Sequence, residues 1–444
     1  WLKPQGGSSN WSEVSDPSSA AMGASGSQPG EPPPERPLRC RTEAQVPKCF
    51  RGVKCPYPQA RVVYGTYGPI NYSLVGPVTG EVVVCFHGLN GSRTLYQEFG
   101  EFLSKQSNFR VLSFDLYGHG LSNAPSVDLC CCSSCKMPSC SGAPRGRYDL
   151  DFFVQQTHEL LTLVGLGEAP VNLVGFSLGG TVAVAFANRY PERVLRIVAM
   201  SPSGFIPKVP PLYYLLRALW CCLIPLAPHV LCTCWYKKER FRRSFKNDGG
   251  QEVDNEVVDS LWRRFVWQLY VKRGVAAATL AVCERVPWFN LKSLFQATGR
   301  HPRPVLLIWG ERDTLNPPQS VGQQVQKCFT NAMLRVIPNA GHIAMCDRPR
   351  QVFWCIMSFL QLATDTRMAT ADLEAYPTRC SSSSQASRTS SAERQDVDPM
   401  RTAERAGQMP VPLVLGHSED LGTPMSVTPT PAVKKDSESS ADAL

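Results

Sequence analysis

The stretch VNLVGFSLGGTVAV runs from Val171 to Val184. Its first four residues form a short apolar run bounded by glycine, as a buried strand does, and from Gly180 onward small residues follow in a helical run. Between the two stands Gly175-Phe176-Ser177-Leu178-Gly179, a G-x-S-x-G pattern set between strand and helix. A turn this tight would drive side chains two before and two after the serine into neighbouring backbone. Glycine removes the collision and accepts strained dihedrals. The pattern predicts that Ser177 Oγ stands clear of a sheet, at a helix N-terminus whose dipole and free N–H groups favour developing negative charge. Five letters alone are common by chance, and a glycine-rich turn in a Rossmann-like sheet competes with a serine nucleophile. The partners of the serine decide between them.

Outward from this stretch, strand and helix alternate. Glu81–Phe86 is a continuous apolar run, the pattern of a strand covered on both faces. Arg61–Tyr64 and Ile70–Leu74 read as two edge strands. Thr94–Lys105 reads as a helix, Arg110–Phe114 as a strand and Leu150–Leu166 as a helix. Val194–Met200, Val305–Trp309 and Met333–Ile337 supply further strands, and Gln351–Leu362 the closing helix. Such alternation predicts an α/β fold with a doubly wound, mostly parallel sheet and right-handed crossovers. Active sites in these sheets lie beyond the carboxyl ends of the strands.

A serine hydroxyl needs a base to become a nucleophile. After the last strand comes Pro338-Asn339-Ala340-Gly341-His342, which puts a histidine at the carboxyl edge. After the preceding strand comes Gly310-Glu311-Arg312-Asp313. The G-x-x-D spacing favours Asp313 as the acid that reaches His342, with Glu311, closer to the strand end, as its competitor. The chain order serine, aspartate, histidine is the one this architecture uses. Strand Glu81–Phe86 ends in His87-Gly88-Leu89-Asn90-Gly91, whose backbone can face the nucleophile. The N–H groups of Leu89 and Leu178 are therefore the expected oxyanion hole. His87, Asp115 and the glycines of Asp115–Ser122 are read as shaping turns, outside the chemistry.

In order and spacing, these motifs resemble the α/β-hydrolase fold superfamily, and within it the serine esterase and monoacylglycerol-lipase-like group. The resemblance covers roughly residues 57 to 363. It implies acyl-enzyme chemistry with Ser177 as nucleophile, His342 as base, Asp313 as orienting acid, and Leu89 and Leu178 as oxyanion donors. It implies no metal and no organic cofactor. Members of the family that act on epoxides or haloalkanes carry aspartate where this chain has Ser177, which disfavours those reactions. Thioester, amide or C–C hydrolysis, acyl transfer, and a non-catalytic binding module on the same fold remain open alternatives.

In this family a lid occupies the place of the insertion at residues 202–303, which reads as helical here. It begins with Leu212–Trp235, in which Arg217 is the one formal charge. By length that segment could cross a bilayer. A crossing would, however, separate Ser177 from Asp313 and His342, and Pro225 and Pro228 break it. Lys237–Lys246 follows, basic with two phenylalanines. Two readings stand: peripheral contact with an anionic lipid surface through residues 212–246, or an apolar cover over the cleft with a solvated basic face. Either one favours a hydrophobic ester or lipid as the small-molecule substrate.

Residues 123–147 hold a second departure, Cys130-Cys131-Cys132-Ser133-Ser134-Cys135 with Cys140. One C-x-x-C without a second ligand pair is weak for zinc. An inert insertion, disulfides and lipidation all fit, and Cys221 and Cys222 are better placed for acylation. Cys85, inside a strand, reads as a buried small hydrophobe.

The chain has 444 residues with a formal net charge of +9 and 18 cysteines. No aromatic-interleaved basic stripe accompanies the charge, so nucleic acid is not an expected partner. Residues 1–56 and 364–444 are rich in Ser, Gly and Pro with little apolar periodicity, and are expected to be disordered around a 57–363 domain. The chain opens on Trp1, so a preceding segment is expected to be missing. A cytoplasmic or peripheral-membrane setting fits best.

Overall fold

The computed structural model describes residues 39–58, 60–127, 144–205, 238–247 and 255–369. The apolar run 212–235, the cysteine run 130–140, Cys221 and Cys222, and residues 1–38 and 370–444 lie outside them.

Eight strands among the described residues make one sheet: β1 Arg61–Gly65, β2 Gly68–Val75, β3 Glu81–Phe86, β4 Phe109–Phe114, β5 Val171–Phe176, β6 Val194–Met200, β7 Val305–Gly310 and β8 Ala332–Ile337. Their spatial order is β1-β2-β4-β3-β5-β6-β7-β8. The pairs from β4 to β8 are parallel, and β1–β2 and β2–β4 are antiparallel. The sheet is thus mostly parallel and wound in both directions from its centre. One expectation needs correcting: β1 lies at an edge, but β2 pairs on both sides, because its antiparallel register with β4 (Tyr72 opposite Phe114) extends the sheet past the parallel set.

Side-chain parity shows why the central strands are apolar throughout. In β3, Val82, Val84 and Phe86 join one core, and Val83 and Cys85 join the other. The first core takes α2 (Leu150–Leu163) and α3 (Leu178–Arg189) through Phe152, Phe153, Leu160, Val182 and Phe186. The second takes α1 (Gln97–Gln106) through Phe99 and Leu103. It also takes the closing helix Pro349–Leu360 through Val352, Phe353 and Ile356. Each such apolar side chain contributes about 1.5–3 kcal/mol on burial. α1 is preceded by a 3-10 turn at Arg93–Tyr96, so the predicted start at Thr94 falls in that turn.

Between β6 and β7 the described part of the insertion is helical: α4 Lys238–Asn247, α5 Asn255–Val266, a π-turn Trp267–Val271, α6 Val275–Arg285 and α7 Lys292–Gly299. The closing helix is therefore α8. α6 and α7 lean on the first core through Ala278, Ala281, Val282 and Phe295. On α4, Lys238 and Arg242 both pair with Asp259 of α5, so two charges of the basic run hold helix to helix. No helix among the described residues is long and apolar enough to cross a membrane.

The outer boundaries differ from expectation. Residues 39–56 are expected to be disordered, yet Val46 and Phe50 are buried against Val266, Leu269, Tyr270 and Val275. Phe50 stacks on Tyr270 with ring centroids 4.4 Å apart. Arg41 donates to the carbonyls of Leu269 and Tyr270 at 3.2 and 2.9 Å. This strap orders because the insertion offers it an apolar slot and backbone carbonyls that accept from Arg41, partners that a local reading of the strap cannot supply. At the other end Met368 is 1% exposed and its N–H donates to Asn331 Oδ1, so packing continues past residue 363.

Candidate active site

The turn between β5 and α3 is forced by backbone contacts. Ser177 sits at φ 53°, ψ −118°, a conformation that ordinary residues avoid, as the N-cap of α3. A Cβ on Gly179 would stand 2.1 Å from the Phe86 carbonyl oxygen, and one on Gly175 would stand 2.4 Å from that of Gly179. Neither position has room for a side chain. The Ser177 N–H donates to Met200 O at 2.9 Å, which ties the strained residue to the end of β6.

His342 arrives on the loop after β8 and Asp313 on the turn after β7. His342 Nε2 lies 3.3 Å from Ser177 Oγ, and His342 Nδ1 lies 2.8 Å from Asp313 Oδ2. A carboxylate can only accept, so Nδ1 carries the proton and the lone pair of Nε2 faces the serine. The Asp313 side chain is fully shielded from solvent, while that of His342 is 12% exposed. The other Asp313 oxygen, Oδ1, accepts the N–H groups of Leu315 and Asn316 at 3.0 and 2.8 Å, which satisfies the buried charge and fixes its direction. The acid and base loops lie against each other. A Cβ on Gly310 would fall 2.0 Å from Gly341 O, and Arg312 N–H donates to Ala340 O at 2.8 Å.

Glu311, the competing acid, faces elsewhere: its Oε2 accepts the Asn339 N–H at 2.9 Å. Asp347 Oδ2 accepts the Gly341 N–H at 2.7 Å. Both carboxylates brace the histidine loop from outside.

The turn after β3 packs directly on Ser177, since a Cβ on Gly88 would lie 3.3 Å from Ser177 Cβ. Gly91 N–H donates to Gly88 O at 2.9 Å and closes this turn around Leu89 and Asn90. Leu89 N–H therefore belongs to a turn in contact with Ser177, and Leu178 N–H opens α3 immediately after it. His87 beneath is fully buried. Its Nε2 accepts the Leu116 N–H at 3.0 Å, so Nδ1 donates to Gly88 O at 2.8 Å. Burial, opposed by the nearby Asp115 carboxylate, lowers its pKa and favours this neutral form.

Asp115 joins the surrounding turns, with Oδ1 accepting Arg93 N–H and Oδ2 accepting Leu121 N–H at 2.7 and 2.8 Å. Gly120, at φ 45°, passes so close that a Cβ there would meet the Asp115 carboxyl at 2.2 Å. From the insertion, Lys272 buries its ammonium against the carbonyls of His119, Gly120 and Ser122. Burial, partly offset by Asp115, pushes Lys272 down to about 8.

The structure thus brings Ser177, His342 and Asp313 into one hydrogen-bonded row and sets the Leu89 turn beside it. Sequence reading did not single out Lys272, Asp347 or two further insertion residues, Gln268 and Thr279, which bond to Asn90. The adjacent Asn90-Gly91 was a readable signal, since that pair favours a tight turn with positive φ. Among the described residues no group of His, Cys, Asp and Glu could hold a metal ion.

The alpha/beta hydrolase fold family matches residues 81–221 and 236–349, more than half of the chain, and the chain belongs to that family. It is similar to sn-1-specific diacylglycerol lipase ABHD11 of Mus musculus, 26% identical over 297 residues that span 66% of this chain and 85% of that protein. It is also similar to monoacylglycerol lipase ABHD6 of Homo sapiens, 24% identical over 323 residues, 69% of this chain and 84% of that one. In fold it resembles the solved structure of a thermophilic esterase from Thermogutta terrifontis, with a TM-score of 0.52 and 23% identity over 68% of this chain and 98% of the other.

Proposed function

We propose that this α/β hydrolase is a serine esterase or lipase that cleaves carboxylic esters of hydrophobic substrates, monoacylglycerol-like lipids foremost. The observation that carries the reading is the row Ser177–His342–Asp313, with separations of 3.3 and 2.8 Å. As Ser177 Oγ attacks the ester carbonyl, His342 Nε2 takes its proton. Asp313 holds the Nδ1 proton in place and stabilises the imidazolium that forms. The carbonyl oxygen, now an oxyanion, is met by the N–H groups of Leu89 and Leu178. Collapse expels the alcohol, which leaves with the proton from Nε2. Water then attacks the acyl carbonyl and gives a proton to Nε2, and Nε2 returns that proton to Ser177 Oγ as the acid leaves. None of these steps calls for a metal or organic cofactor.

The substrate class rests on two supports: the apolar composition of the insertion's first part, and the lipases among the relatives. The same insertion is proposed as the lid over Ser177, with lipid-surface contact through residues 212–246. The pairing of Lys238 and Arg242 with Asp259 leaves less of that basic run for a surface than its composition implies.

The test is hydrolysis of p-nitrophenyl esters with acyl chains of about 2 to 16 carbons, wild type beside Ser177→Ala, with and without lipid vesicles. Serine-dependent rates that rise with chain length and with vesicles support the lipase reading. Serine-dependent activity confined to short esters keeps the esterase and removes the lipase. Equal rates for wild type and Ser177→Ala remove the nucleophile assignment.

A further inference from the structure

The Leu89 turn, closed by the Gly91 N–H on Gly88 O, is also held from outside. Asn90 stands at φ 55°, in the left-handed region that costs an ordinary residue about 1–2 kcal/mol. Two side chains from the insertion meet it there. Gln268 Nε2 donates to Asn90 O at 2.9 Å. Thr279 Oγ1 donates to Asn90 Oδ1 at 2.7 Å. Gln268 is 1% exposed, and its Oε1 accepts the Gly120 N–H at 2.6 Å, so one amide joins the two turns that follow β3 and β4.

Gln268 lies in the π-turn Trp267–Val271 between α5 and α6. A π-turn carries one more residue per turn than an α-helix and so rotates the following face, a device that recurs at functional sites. A buried glutamine with both ends of its amide engaged is specific to these partners.

We propose that Gln268 and Thr279 are positioning residues for the oxyanion hole: they fix Asn90, and through Asn90 they set the direction of the Leu89 N–H toward Ser177. This deepens, and rests on, the serine-hydrolase reading. The insertion then serves the chemical step as well as substrate access. Loss of either side chain allows the Leu89 turn to relax while Ser177, His342 and Asp313 stay where they are. Because the oxyanion exists only during reaction, this loss falls on kcat and spares KM.

The experiment compares Gln268→Ala, Thr279→Val and Thr279→Ser with wild type on a p-nitrophenyl ester, with active sites counted by fluorophosphonate titration. The affinity of a trifluoromethyl ketone, whose serine adduct presents an oxyanion, is measured alongside. Gln268→Ala is expected to lower kcat about 10- to 100-fold, with KM within about twofold and ketone affinity falling in parallel. Thr279→Val should show the same split at smaller size, and Thr279→Ser, which keeps the hydroxyl, should recover most of it.

Unchanged kcat and ketone affinity in Gln268→Ala and Thr279→Val, with Ser177→Ala inactive, overturn the positioning role and leave the hydrolase reading standing. So does a fall in rate that tracks only the loss of titratable sites, with ketone affinity per site at the wild-type value. Wild-type rates in Ser177→Ala instead overturn the hydrolase reading beneath the proposal.

Discussion

Two turns meet at the carboxyl edge of the sheet and are shaped by different means. At the nucleophile turn, any side chain at 175 or 179 would run into backbone oxygens 2.4 and 2.1 Å away. The facing turn at 88–91 is bent by an asparagine at φ 55°, and a partner 178 residues further along the chain holds that asparagine. The first turn is a property of its own five residues and the strand beside it. The second depends on a separate part of the molecule being in place. On the proposed reading, Ser177 is held rigidly and the Leu89 oxyanion donor conditionally, so the insertion could strengthen or weaken the donor without touching the serine.

The contrast can be broken or sharpened by substitution. Ser177→Ala should lower kcat on a hydrophobic ester about 10⁵-fold with the melting temperature nearly unchanged, as read by initial rates and thermal melts. Asp313→Asn keeps the shape but can donate where the carboxylate accepted, which favours the wrong imidazole tautomer. Its kcat should fall about 10³- to 10⁴-fold, with the deficit persisting across the neutral pH range.

Stability separates the turns themselves. Gly179→Ala has a Cβ forced on Phe86 O and should cost about 3 kcal/mol or more in denaturant unfolding. Asn90→Ala loses the Thr279 bond and strains φ, so it should cost about 1–2 kcal/mol and leave a folded protein. Equal destabilisation by the two would erase the distinction drawn here.

The smallest effect belongs to the insertion's own ion pairs. Hydrogen bonding by Arg242 and then Lys238 holds Asp259 down at about 2, from an ordinary 3.8. A depressed carboxylate adds stability above the ordinary value and loses it as the pH falls through the folded one. Wild type should therefore exceed Asp259→Asn by about 1–2 °C in Tm at pH 6, a gap that closes toward pH 2.

The same contrast explains what could be read from the chain. β3 and β7 read as continuous apolar runs because both faces of each are covered. The row Ser177, Asp313, His342 followed from residue types placed after successive strands. Those signals are local. The second pairing of β2 was not legible, since a half-apolar strand reads the same at an edge or one place in from it. Nor was the role of Gln268, because a glutamine on an amphipathic helix reads as solvent-facing until a π-turn rotates it inward. Residues 39–56 were not legible for a related reason: Val46 and Phe50 are too few to make a core alone, and the buried residues they meet lie more than 200 positions away, as the Arg41 bonds do.

That strap also bears on how the protein can be trimmed. The sheet starts at Arg61, and a fragment cut there would keep every strand and the whole nucleophile row. It would also leave Leu269 and Tyr270, the two residues after Gln268, without the Phe50 and Val46 packing and without the Arg41 bonds to their carbonyls. A fragment that keeps the contacts around Gln268 therefore begins ahead of Arg41, some twenty positions before β1.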